Sequence, residues 1–162
     1  PSAVLHALVA SGLTTSRFVF EGFLPRKGGS RSERLAEVAA ERRTTVLFEA
    51  PHRLERTLVD LAALCDPTRP VVLARELTKL HEEFWRGTLA DAIERVREVE
   101  PRGEFVIVLG GMAPPPEASD DDLRDALAAA LRRGLTTRDA VDEVAAATGA
   151  PRRRVYDLAI SG

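Results

Sequence analysis

The sequence has one cysteine, one tryptophan, one tyrosine and one methionine among 162 residues. With Cys65 alone there is no partner for an intrachain disulfide, which points to a reducing, cytoplasmic compartment. No apolar run reaches the roughly 20 residues that a bilayer-spanning helix needs, and nothing resembles a signal peptide, so a membrane protein is not expected. A strong excess of charge is also missing. The 23 Lys and Arg against 25 Asp and Glu leave a formal net charge of −2, which excludes a uniform nucleic-acid coat and leaves room only for local basic patches. His6, His52 and His81 lack His-Glu-x-x-His or any other ligand spacing, and no metal is assigned. The chain opens on Pro1 rather than Met and enters a helix without a leading strand, as expected of a piece of a longer protein.

What is present is ordinary globular material, 44% hydrophobic and 30% charged, enough for one domain and a small appendage. The chain turns on the stretch around residues 44–54. Thr45, Val46, Leu47 and Phe48 form a short β-branched and aromatic run that suits a buried strand. From Leu54 the apolar residues Leu58, Leu61 and Cys65 recur at helical spacing. Pro51 suits the first helical position, where its missing N–H has no intrahelical role. Glu49, Ala50, His52 and Arg53 therefore sit at the carboxyl end of a strand, where open α/β sheets keep ligand crevices. Cations at a helix start oppose its dipole. Glu49 either pairs with Arg53 or faces a ligand.

Upstream, Ser2 caps an apolar helix over residues 3–11 closed by Gly12. Its free first-turn N–H groups either are simply capped or form one wall of a ligand site. Phe18, Val19 and Phe20 read as a strand entering a loop over residues 21–30 with three glycines, Pro25 and the adjacent cations Arg26 and Lys27. That loop either touches phosphates or is a solvated connection. Ser30 and Glu33 form a capping-box pattern for a structural helix with Leu35, Val38 and Ala39 inward.

Downstream, Val71, Val72 and Leu73 suggest a strand covered on both faces. It runs into a polar stretch, residues 75–83, in which Glu76, Lys79 and His81 could line a site. Residues 84–87 read as a short edge strand, Thr88 and Asp91 as a helix cap, and residues 103–111 as the last strand, flanked by glycines. Pro114, Pro115 and Pro116 make a stiff linker. Beyond it strand signals stop. Ser119 with Asp120, Asp121 and Asp122 opens one helix, Thr136 and Asp139 a second, and Pro151 a third. The last two are joined by a Gly-containing turn in helix-turn-helix style. Arg152, Arg153 and Arg154 crowd the start of the third helix. They either meet nucleic-acid phosphate or pair with Asp142, Glu143 or Asp157 within the tail.

Six segments in order now carry a resemblance: Pro1-Ser2-Ala3 opening a helix that ends Ser11-Gly12-Leu13; Gly22-Phe23-Leu24-Pro25; Phe48-Glu49-Ala50-Pro51-His52-Arg53; Ala74-Arg75-Glu76-Leu77-Thr78-Lys79; Arg86-Gly87; and Gly103-Glu104. Together they resemble the small-subunit ribosomal RNA 2′-O-ribose methyltransferases acting on cytidine, within the tetrapyrrole-methylase-like superfamily. The resemblance implies a two-domain, S-adenosylmethionine-dependent α/β enzyme, usually a homodimer, with the cofactor between its domains. The segments correspond to the C-terminal half, and the N-terminal domain with its Asp-Ala-Gly-Thr-Pro-like segment is missing from this chain.

Carried over, Ser2, Ala3, Phe48, Glu49, Ala50, Pro51, Gly103 and Glu104 lie along the cofactor. Glu49, Glu76 and Lys79 are weak catalytic candidates. Arg26, Lys27, Arg31, Lys79, Arg152, Arg153 and Arg154 would contact small-subunit ribosomal RNA. The expected fold is class III α/β with a mixed sheet over residues 1–111, a Pro-rich linker over 112–119 and a helix-turn-helix-like tail over 120–162. Half a cleft should bind cofactor weakly and be inactive alone. The competing functions are a small-molecule methylase of tetrapyrrole type, a non-enzymatic nucleic-acid-binding module and a dimerisation domain.

Overall fold

The computed structural model describes residues 2–114 and 117–161. It divides into two compact units, Pro1–Pro114 and Pro115–Gly162. Pro1, Pro115, Pro116 and Gly162, and with them parts of the helix-opening, linker and tail expectations, lie outside the described residues.

The first unit is a mixed sheet with helices on both faces. In chain order it comprises α1 (Ala3–Ser11), β1 (Phe18–Phe23), α2 (Gly29–Ala40), β2 (Thr44–Glu49), α3 (Pro51–Ala62), β3 (Pro70–Arg75), β4 (Glu83–Thr88), α4 (Leu89–Glu98) and β5 (Phe105–Leu109). The strand order is β1-β2-β5-β3-β4. β1 and β2 are parallel and every other pairing is antiparallel. All five residues of β5 are buried, which fits its central place between β2 and β3. Such a strand must be apolar on both faces.

Period-two alternation sends neighbouring side chains to opposite faces. Val46, Val72, Ala74, Val106 and Val108 pack with Ala7 and Leu8 of α1 on one side. Leu47, Leu73, Ile107 and Leu109 pack with Leu35, Leu54, Leu58 and Leu89 on the other, under α2, α3 and α4.

Local signals explain most helix ends. Ser2 caps α1, Gly12 closes it in the left-handed region, and Pro51 opens α3. Thr88 and Asp91 form a full capping box. The Ser30–Glu33 box does not form: α2 begins at Gly29 with Gly28 as an N-cap that makes no side-chain bond. Two strand and helix limits also move. β1 continues through Phe23 because a bulge between Phe20 and Gly22 absorbs an extra residue. α3 stops at Ala62, so Cys65 lies past its end, where its sulfur accepts from Arg69.

Arg69 is buried without a carboxylate partner. Its guanidinium donates to the carbonyls of Gly110, Ala39, Val38 and Glu41, pinning the end of α2 to the exit of β5. At that junction Gly111 passes so close to the Arg42 carbonyl that a Cβ would lie 1.8 Å from its oxygen, which no side chain tolerates.

The second unit is all helical: α5 (Asp120–Arg132), α6 (Thr137–Thr148) and α7 (Arg152–Ile160). Ser119 and Asp122 form a reciprocal capping box, and Thr136 caps α6. Gly149, at φ 72°, makes the left-handed turn between α6 and α7. Leu123, Leu127, Val141, Val144 and Val155 form its core.

Candidate active site at one end of the sheet

Strand direction brings the expected cofactor residues together. β2 ends at Glu49, which pairs with Phe105 at the start of β5, and Phe105 pairs in turn with Arg75 at the end of β3. Residues 48–51, 103–104 and 75–79 therefore share one end of the sheet. The amino end of α1 points the same way. Near its C-terminus Arg86 of β4 donates to the Ala10 and Ser11 carbonyls, while His6, nearer its start, reaches Glu82 and stacks on Phe84. Ser2 and Ala3 continue beyond His6 toward that end.

The two sides of this end differ in chemistry. Phe48 faces the α1 side, where Phe20 and Phe23 meet it edge-on with ring centroids 5.0 and 5.6 Å away. Phe20 and Phe23 are exposed, so the α1 side presents an aromatic wall. The first-turn amides of α1 lie on the same side, only one of them taken by the Ser2 hydroxyl. An aromatic ring with a polar tail fits such a wall.

Glu49, one residue on, points the other way. Its side chain is fully buried; its oxygens accept from the Thr57 hydroxyl and the Ala50 amide, and Arg53 forms an ion pair with it at 3.2 Å. The pairing with Arg53 is therefore the one realised, and Glu49 is corrected from a catalytic candidate to a structural carboxylate. The Ala50 amide is likewise occupied. Ala50 and Pro51 remain half-exposed wall residues.

At the rim, Glu76, Lys79 and Glu104 form a closed cluster. Lys79 lies 3.2 Å from Glu76 and 3.0 Å from Glu104. Glu76 accepts the Glu104 amide and Glu104 the Glu76 amide. Gly103, at φ 82°, leaves no room for a Cβ beside the Glu76 carboxylate. Its glycine thus serves this cluster.

The Glu104 amide first, and Lys79 second, hold the Glu76 carboxyl below its ordinary value. Glu104 and then Glu76 raise the Lys79 ammonium. A carboxylate made more acidic is a poorer base, and a lysine held charged cannot accept a proton. Glu76 and Lys79 are thus engaged with each other and with Glu104 in an ion cluster at the rim. Lys79, between two carboxylates, is also a poor contact for RNA phosphate. Glu76 and Thr78 both adopt positive φ, 50° and 64°, so this rim loop carries backbone strain. His81 is exposed within it.

The basic residues divide as well. Arg31 is buried, bonded to Asp60, Thr57 and the Pro25 carbonyl, and is corrected from an RNA contact to a structural residue. Arg26 and Lys27 are exposed and form no ion pair among the described residues. In the tail, Arg152 pairs with Asp142, and Arg154 with Asp120, Glu117 and the Ala118 carbonyl. Of the three arginines at the start of α7, Arg153 is the one left exposed without an ion pair among the described residues, as Arg132 and Arg138 are elsewhere in the tail. The dipole penalty at the start of α7 is thus largely answered within the tail.

Sequence reasoning overlooked Arg69 and Arg56. The carbonyl partners of Arg69 lie 28 to 41 residues away, and an isolated arginine carries no periodic signal.

Residues 1–93 match the family described as Tetrapyrrole (Corrin/Porphyrin) Methylases. The chain belongs to this family. Residues 117–161 match the RsmI C-terminal HTH domain, so the helix-turn-helix reading of the tail holds. The chain is similar to the ribosomal RNA small subunit methyltransferase I of Synechocystis, 47% identical over 98% of this chain and 58% of that protein. It is similar to the enzyme of that name from Mycobacterium tuberculosis, at 45% over 99% of this chain and 55% of the relative. The chain thus spans little more than half the length of these relatives.

Two solved methyltransferases share the fold. A cobalt precorrin-4 methyltransferase of cobalamin biosynthesis superposes with TM-score 0.55 at 18% identity, covering 67% of this chain and 48% of that one. The methyltransferase CobJ does so with TM-score 0.55 at 21%, covering 72% and 51%. The mixed class III sheet is accordingly the tetrapyrrole methylase fold. β5 lies beyond the residues matched to that family, yet it completes the centre of this same sheet.

Proposed function

We propose that this chain forms the C-terminal half of the cofactor cleft of an S-adenosylmethionine-dependent methyltransferase that modifies the 2′-oxygen of a cytidine ribose in small-subunit ribosomal RNA. The observation that carries the reading is the convergence of the α1 amino end and the Phe48 aromatic wall at one end of a tetrapyrrole methylase sheet, in a chain 45–47% identical to enzymes named for ribosomal RNA methylation. When bound, S-adenosylmethionine supplies an electrophilic methyl group on a sulfonium, leaving as a thioether once the ribose oxygen has taken the methyl.

On this reading the wall of Phe48, Ala50 and Pro51 holds the adenosine side, and the first-turn amides at Ser2 and Ala3 meet polar groups of the ligand. Gly103 and Glu104 shape the rim through the Glu76 and Lys79 cluster. Glu76 and Lys79 are tied into their ion cluster, so on this reading the rate comes chiefly from alignment of oxygen, carbon and sulfur. The opposite wall comes from an upstream domain like that in the longer relatives, and a homodimer partner covers part of the exposed aromatic surface on β1. The setting is the cytoplasm, where ribosomal RNA is made. Among the described residues no helix is long and apolar enough to cross a membrane.

Calorimetric titration of S-adenosylhomocysteine into this chain tests the cofactor wall. Weak, saturable binding is expected, and Phe48→Ala should weaken it roughly fivefold, the worth of about 1 kcal/mol of aromatic contact. Absence of heat from the parent chain at millimolar ligand rejects the assignment of this wall.

For the tail, the pairing pattern leaves Arg153 as the free phosphate contact at the start of α7. Arg153→Ala should reduce the salt slope of RNA binding by about 0.7, one contact to a single strand. Arg152→Ala and Arg154→Ala should chiefly lower the melting temperature of the helical unit. An Arg153→Ala slope equal to the parent's removes the start of α7 from the RNA interface.

A further inference from the structure

A depression beside the start of α3, on the sheet face opposite Phe48, is lined by Arg26, Arg31, His52, Arg53 and Arg56 and by nothing acidic. Two of these residues are floor. Arg31 is spent on Asp60, Thr57 and the Pro25 carbonyl, and Arg53 on Glu49 and the Leu24 carbonyl. These same bonds fix the base of the loop that carries Arg26, so its position over the depression is set by the fold.

The other three residues form the rim. Arg26 and His52 are exposed and have no ion-pair or side-chain hydrogen-bond partner among the described residues. Arg56 is 65% exposed, with only a 3.8 Å approach to an Asp60 that Arg31 already holds at 2.8 Å. Four guanidiniums therefore face two carboxylates, leaving two positive charges before His52 is counted.

The helix beneath adds to this imbalance. α3 has no acidic residue in its first turn and no side-chain cap, so its positive dipole end lies under Arg53 and Arg56 with His52 beside them, while Glu55 in the next turn is taken by Arg97. Such a concentration of like charge costs free energy unless an anion answers it. Planar guanidiniums converging from two elements suit the oxygens of a phosphodiester.

We propose that Arg26, His52 and Arg56 form a binding site for a backbone phosphate of RNA, placed on the opposite sheet face from the cofactor wall. It rests on the ribosomal RNA reading only for the source of the phosphate. The charge cluster itself calls for an oligoanion.

The test uses this chain in two arms. In the first, a labelled 16-nucleotide single-stranded RNA is titrated by fluorescence anisotropy between 0.05 and 0.3 M KCl, conditions chosen on the order of the range over which phosphate contacts are resolved. Arg26→Ala/Arg56→Ala should lower the log–log salt slope by about 1.4 and weaken binding at 0.1 M salt at least roughly tenfold, while Arg26→Lys/Arg56→Lys retains most of the slope. An unchanged slope in a folded alanine variant overturns the proposal.

In the second arm, tripolyphosphate is added and the imidazole signals are followed by NMR. The His52 signal should move and its titration midpoint rise, with His81 unaffected, and the alanine variant should lose the response. A His52 response without RNA binding identifies a free polyphosphate as ligand and overturns the RNA assignment. No response in either arm overturns the site. Neither arm depends on S-adenosylhomocysteine, so a failed cofactor reading leaves both results interpretable.

Discussion

Replacing Arg69 by Ala is expected to lower the stability of the sheet unit by at least about 3 kcal/mol, and its melting temperature by roughly 10 °C or more. The magnitude follows from what the guanidinium satisfies. It supplies hydrogen bonds to the carbonyls of Val38, Ala39, Glu41 and Gly110 from a position only 5% exposed. The Val38 and Glu41 carbonyls keep the Glu41 and Met112 amides as donors, so the loss falls mainly on Ala39 and Gly110, at about 1–3 kcal/mol for each carbonyl left without a donor. Rearranging water can recover part of that, since Ala39 and Glu41 lie near the surface end of α2.

The location compounds the loss. Gly110 and Gly111 lead out of the central strand, and Met112 donates to the Glu41 carbonyl, so the exit of β5 is held to α2 by Arg69 and by a backbone bond beside it. Arg69→Lys keeps the charge but cannot reach four carbonyls with a single ammonium, and should recover less than half the loss. Thermal denaturation of the three proteins, followed by circular dichroism, checks the order. Equal midpoints for the parent and Arg69→Ala would mean that water replaces the guanidinium without cost.

Nothing in the sequence marks Arg69, and the reason is general to this fold. The readable features were local. Pro51 at the change of period, the Thr88–Asp91 box, the Ser119 cap, the closing Gly12 and the turn at Gly149 each depend on residues within one turn, and each forms as expected. The misread cap at Ser30 shows the limit of local pattern. Ser30 and Glu33 have the right spacing, but Gly28 supplies the backbone that turns into α2, which leaves Ser30 already inside the helix.

Arg31 failed for another reason. Its partner Asp60 lies 29 residues away, and no periodicity links an α2 arginine to an α3 aspartate. The order of strands was hidden for the same cause, since β5 enters between β2 and β3 from beyond α4. At the proposed site, the residues singled out from the sequence share one end of the sheet, because strand ends and glycines are visible in it. Which face each residue serves was not visible. Phe48 and Glu49 are neighbours in the chain and stand on opposite sides of the sheet.

That division makes Glu49 the other position where a large effect is expected, and the effect should fall on stability and loop order before it touches any ligand. Glu49→Ala removes the acceptor of the Thr57 hydroxyl and of the Ala50 amide, and the counter-charge of Arg53, whose side chain is only 19% exposed. Breaking one side of a largely buried ion pair costs about 3–5 kcal/mol. Partial solvent access at Arg53 places the expected loss near the lower end, about 3 kcal/mol.

Thr57 links the damage to Arg31, because the same hydroxyl that donates to Glu49 accepts from the Arg31 guanidinium. Arg53 and Arg31 in turn hold the Leu24 and Pro25 carbonyls. Amide hydrogen exchange over residues 22–28 should therefore accelerate in Glu49→Ala, measured below its unfolding transition. Glu49→Gln, which keeps an acceptor for Thr57, should restore most of the protection. If Glu49 instead served the cofactor, Glu49→Gln would weaken S-adenosylhomocysteine binding while leaving loop protection intact. The buried, opposite-facing carboxylate predicts the reverse pattern: cofactor binding unchanged in Glu49→Gln, and the loop loosened only when the acceptor is lost.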